Sequence, residues 1–168
     1  MANIEKKKDY INTYTPMKSM RLYKNVKTSL QAINCGAETI GQIMRATSYD
    51  YLIAFINVWL IDLNEYLNLK NKLTPNQIEQ ISNYIIDDYS YLNIADFNLV
   101  FSGIKKGYYG QFFESIDGLK IMTIFEKYAN KRANEVFESG LNEHNNYKEF
   151  DVERIEDSKS IKDLLNKG

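Results

Sequence analysis

Apolar residues recur at helical spacing in several separate stretches of the chain. In LTPNQIEQISNYIIDDYSYL (residues 73–92), Thr74 is placed to cap a helix, Pro75 to occupy its first turn, and Gln77 to close a capping box. Ile78, Ile81, Tyr84 and Ile85 then share one face, which predicts a helix ending near Asp88. NIADFNLVFSGIKKG (residues 93–107) repeats the logic. Asn93 caps, Phe97, Val100, Phe101 and Ile104 line one face, and Gly107 stops the helix. Lys105 and Lys106 suit its C-terminal end, where the helix dipole is negative.

Upstream, SLQAINCG (residues 29–36) reads as a short helix stopped by Gly36. AETIGQIMRA (residues 37–46) reads as a second, with Ile40, Ile43 and Met44 on one side. A longer helix starts at Ser48 or Asp50 and continues to about Leu67. Its run YLIAFINVWLI (residues 51–61) is apolar nearly all round, so it belongs inside, with Trp59 in the core. β-branched residues make a strand its rival, but the apolar spacing persists through Leu63, Tyr66 and Leu67. Ser115 or Asp117 caps a last long helix from Gly118 to Ser139, striped by Ile121, Ile124, Phe125, Tyr128, Val136 and Phe137. No alternating strand or hairpin turn interrupts the series. The fold expected is all-α: a basic arm over residues 1–16, a multi-helix domain over 17–140, and a loosely attached polar tail over 141–168.

Composition narrows the chemistry. The chain has 168 residues and a net charge of −1, so no global field draws it to nucleic acid or membrane. Locally the balance differs. Over residues 1–30, Lys6, Lys7, Lys8, Lys18, Arg21, Lys24 and Lys27 oppose only Glu5 and Asp9. That arm and first helix are either a solvated face or a phosphate-contacting one. The single cysteine, Cys35, excludes an internal disulfide and fits a reducing compartment. The most apolar run is too short to span a bilayer, for which about 20 residues are needed. The start of the chain carries lysines without the apolar core of a signal peptide.

Catalytic groups are scarce. The only histidine, His144, lies in the polar NEHNN stretch, and no phosphate-binding glycine loop or metal-ligand spacing occurs. Asp87 and Asp88 are neighbours and diverge on a helix. The sequence therefore points to a non-enzymatic binding protein with no cofactor and no metal. Its candidate binding residues are Lys105, Lys106, Tyr108 and Tyr109, in KKGYYG. GYYG matches the GxxG clamp of KH domains, which needs a neighbouring sheet that this chain lacks. Two readings of KKGYYG remain open. In one it is a helix-loop-helix connection whose Tyr108, Phe112 and Phe113 enter the core. In the other, lysines meet phosphates and an exposed tyrosine stacks on a base.

The segment from Tyr51 to Arg132 resembles small, uncharacterised proteins of Bacteroidota tailed phages, notably crAss-like phages, and related prophage elements. The resemblance rests on the order of its parts: Trp59, Asn64 and Tyr66, then LTPNQI, YSYL, the lysine-glycine-tyrosine-glycine turn, SIDG, and Tyr128 with Arg132. It implies a virion or host-cytoplasm setting and partners among phage structural or replication proteins. Two roles follow from it: a cargo protein packaged in the particle and delivered with the genome, or a replication accessory protein that binds DNA or a helicase.

Overall fold

The structure, a computed structural model, describes residues 8–112 and 115–165, with side chains through residue 143. Among the described residues there are eight helices and no strand. They are α1 (Tyr10–Thr13), α2 (Pro16–Leu22), α3 (Ser29–Asn34), α4 (Ile40–Ala46), α5 (Tyr49–Leu67), α6 (Pro75–Tyr89), α7 (Ile94–Lys105) and α8 (Gly118–Leu165). The all-α expectation holds. Two units are distinguished, Met1–Lys131 and Arg132–Gly168. The first holds the core.

Helix ends follow the residues that can cap them. Thr28, Thr39, Thr74 and Asn93 each form a capping box, with Gln31, Gln42, Gln77 and Asp96 respectively. Ser48 caps α5, and Asn68 ends it in the left-handed conformation. The N-terminal ends of α4 and α7 are tied together: Ile40 N–H donates to Leu92 O at 2.8 Å, and Ile94 N–H to Glu38 O at 3.2 Å.

Helix α5 packs against α1, α2, α4, α6 and α7, which explains why its apolar residues encircle it. Trp59 is buried at its centre, with ring centroids 5.3 Å from Phe101 and 6.0 Å from Phe97. Phe125 of α8 completes the cluster, 5.7 Å from Phe97 and 6.0 Å from Phe101. Beneath it lies a polar knot. Asp96 is fully buried and accepts from the Tyr128 hydroxyl at 2.6 Å and from Asn93 N–H at 2.9 Å. The Asn93 carboxamide in turn donates to Ala32 O of α3 at 2.7 Å.

Four sequence expectations change. Tyr84 leaves its predicted stripe for solvent, and Ile86 takes the buried place beside Ile78, Ile81 and Ile85. Val136 and Phe137 are exposed, so the buried stripe of α8 closes at Tyr128. The last helix does not stop at Ser139 but continues to Leu165, consistent with a stretch whose only strong breaker is Gly140. His144 and the apolar residues of the predicted tail beyond Leu141 lie outside the described side chains, as Phe113 lies outside the described residues. Finally, residues 8–16 of the predicted arm are not a free tail: they hold α1, and its Tyr10 is buried in the core.

The docked arm is latched by charge. Lys8 pairs with Glu38, and the Tyr10 hydroxyl donates to the same carboxylate at 2.8 Å. Burial pushes the Glu38 carboxyl up, but the hydrogen bonds from Lys8 and Tyr10 outweigh it and hold the group below its ordinary range. A depressed folded-state value means that the latch stabilises at neutral pH and is lost as pH falls through that value. Amide protection factors over Tyr10–Thr13 are expected to drop below the ordinary carboxylate range, and Glu38→Gln to remove that pH dependence. Protection in the native chain that stays flat with acid would contradict the latch.

Candidate nucleic-acid interface

The KKGYYG turn is built by the end of α7. Gly107 has φ +77°, and its N–H donates to Ile104 O at 3.0 Å, while Tyr108 N–H reaches back to Gly103 O at 2.9 Å. These two bonds form a Schellman cap, which needs a residue tolerant of the left-handed conformation. Once reversed, the chain lays its two tyrosines on opposite courses. Tyr109 is half-buried against Gly103: a Cβ at Gly103 would sit 2.8 Å from the Tyr109 ring. Burial raises the Tyr109 phenol above its ordinary value. Tyr108 stays 75% exposed, so its ring face is available.

The paired lysines also separate, because successive helical side chains diverge by about 100°. Lys105 turns to α5, pairs with Asp62, and lies 5.0 Å over the Tyr66 ring. Lys106 turns the other way and lies 5.8 Å over the Tyr108 ring. Of the four residues singled out in the sequence, Lys106 and Tyr108 face outward together. Lys105 and Tyr109 are engaged with the body of the fold. The two sequence readings each describe part of the turn: Tyr109 and Phe112 pack against the core, while Tyr108, expected inside in one reading, is outside.

Lys106 and Tyr108 form one wall of a groove of about 230 Å³. The opposite wall is the end of α2 and the following loop, with Met20, Tyr23, Lys24 and Lys27. The floor is α7 itself, at Asn98, Ser102 and Gly103. The loop carrying the lysines is fixed at the start of α3, where Gln31 Oε1 closes the capping box with Thr28 and also accepts from Lys27 N–H at 2.7 Å. Lys24, Lys27 and Lys106 make no ion pair among the described residues, and no described residue lining the groove is acidic. Burial pushes the Tyr23 phenol up to about 12, so no phenolate offsets the lysines at neutral pH. The basic helix and the glycine-tyrosine turn, distant in sequence, are thus two sides of one feature.

Asn98 was not singled out by sequence reasoning. It is only 6% exposed, yet its side chain makes no hydrogen bond among the described residues. Its one sequence signal is a carboxamide inside an otherwise apolar helical run. A larger hollow, about 650 Å³, lies between Tyr109 and Phe112 on one side and Leu119, Lys120 and Thr123 on the other. There Lys120 is already committed to Ser115 O at 3.2 Å and to Asp117 at 3.7 Å.

Residues 72–151 match a family of unknown function, DUF6633. The match spans a little under half of the chain and is a similarity over that part. It includes α6, α7 and the KKGYYG turn, and so the floor and one wall of the groove, but not the wall that carries Lys24 and Lys27. No curated protein and no solved structure matches the chain.

Proposed function

We propose that this protein is a non-enzymatic module that binds single-stranded nucleic acid. The observation that carries the reading is the convergence of Lys24, Lys27 and Lys106, all without an anionic partner among the described residues, around an exposed Tyr108. Unpaired lysines attract phosphates and release counterions when they bind them. An exposed tyrosine beside them gives an unstacked base a face to lie on, which a duplex does not present. Of the two roles implied by the phage resemblance, the groove favours the accessory protein that touches nucleic acid over packaged cargo.

The test is the salt dependence of binding, read by fluorescence anisotropy on oligothymidylate and oligouridylate. Single strands lose affinity with a log–log slope of about −0.7 per phosphate engaged. Lys24→Ala, Lys27→Ala and Lys106→Ala combined should flatten that slope by about 2. Lys105→Ala should leave it unchanged, because Lys105 is held by Asp62. Tyr108→Ala should cost roughly 1–3 kcal/mol of affinity. A triple variant that folds and binds with the native slope would remove the groove from the reading, and no binding by the native chain at low salt would overturn the reading itself. The oligouridylate arm reports whether RNA or DNA is held more tightly.

A further inference from the structure

We infer that the floor of the groove takes one unstacked nucleobase from the bound strand and reads its edge through Asn98, with adenine as the base preferred. This rests on the nucleic-acid reading above and goes beyond it, since lysines and a stacking tyrosine alone do not distinguish bases. A buried carboxamide normally finds hydrogen-bond partners within the protein, because leaving it unpaired costs free energy. Asn98 is 94% buried, lines the groove, and has no side-chain partner among the described residues. Its carboxamide is not fully enclosed, so its one acceptor and two donors are open to the groove. An unstacked adenine offers an amino donor beside a ring-nitrogen acceptor on two of its edges and cytosine on only one, and asparagine satisfies that pair in bidentate fashion.

The dimensions agree. At about 230 Å³ the groove is smaller than the roughly 300–1,000 Å³ that drug-sized ligands occupy. It suits a single planar ring and not a folded oligonucleotide. Ser102, one turn on from Asn98, supplies a second polar side chain on the same floor. Tyr108 stands at the rim, where it can stack on the neighbouring base while the lysines hold the phosphates on either side.

The experiment uses oligothymidine strands of about 12 nucleotides, a length within the range one single-strand site covers. Each carries a single central adenine, cytosine, guanine, thymine or abasic position, and binds the full chain at fixed salt. The native protein should hold the adenine strand about tenfold tighter than the abasic one. Asn98→Ala should bring all five strands to a common affinity while leaving the salt slope as it was. Its fold is checked by its melting profile, and the native comparison needs no variant at all. Equal affinities for the five strands would overturn base reading while leaving nucleic-acid binding intact, as would discrimination that survives Asn98→Ala. A tighter hold on another base, lost in Asn98→Ala, would overturn the choice of adenine. Absence of binding to every strand would remove both proposals together.

Discussion

Trp59→Ala should destabilise the first unit by about 3–5 kcal/mol, the range for truncating a buried aromatic. Trp59 is 1% exposed, and its ring contacts Phe55, Phe97 and Phe101 from two helices. Removing it empties the point at which α5 meets α7, and Phe125 loses the support of the rings behind it. Core packing is close to crystalline, so neighbours collapse only partly into the space. The indole N–H has no hydrogen-bond partner among the described residues, and the contacts of the ring are to other aromatic rings. Urea unfolding followed by circular dichroism would measure the loss. A change below about 1 kcal/mol would show that the cluster is not the centre of the fold.

The second large effect is expected at Asp96. Replacing it with alanine removes the acceptor of two buried donors, the Tyr128 hydroxyl and the Asn93 N–H, and half of the capping box that starts α7. Each buried group left unsatisfied costs about 1–3 kcal/mol, so a loss of about 3 kcal/mol or more follows. Tyr128→Phe should cost less, because Asp96 keeps its bond to Asn93. The double variant should be less damaging than the two single effects added together, since the second change then removes a donor whose Asp96 acceptor is already gone. Additive effects in such a cycle would mean that the 2.6 Å contact carries no coupling.

Helix ends were the most legible part of the fold, because capping is local chemistry. Thr74, Pro75 and Gln77 lie within a few residues of one another, as do Lys106 and the Gly107 that must reverse the chain. The buried face of α7 was legible for the same reason: Phe97, Val100, Phe101 and Ile104 are a periodic set. Tyr84 misled because a position at the border of a stripe is decided by the neighbouring helix, which local periodicity does not contain.

The candidate site was legible only in fragments. KKGYYG announced a turn with charge and aromatic surface, but which lysine and which tyrosine face outward depends on Asp62 and Gly103. Gly103 reads as a weak point in a helix, whereas its missing Cβ is what lets Tyr109 lie against α7. The second wall of the groove comes from the α2–α3 loop, and no pattern in the chain pairs Lys24 and Lys27 with Lys106. Asn98 gave only the signal of a polar residue in an apolar run, which a helix edge would produce equally well. The docked α1 was missed because its anchors, Tyr10 with Ile11 and Tyr14 beside it, form too short a run to show a helical period.

The most direct measurement of the central claim is photo-cross-linking of a single strand that carries 5-iodouracil, with the attached peptides identified by mass spectrometry. If the groove is the binding surface, the label should fall on the peptide that contains Tyr108 and on that spanning residues 20–27, and should fade from both in the Lys24→Ala, Lys27→Ala, Lys106→Ala variant. Label confined to the far side of the turn, near Lys105 and Tyr66, or to the 132–143 stretch, with the Tyr108 peptide unmodified, would contradict the account.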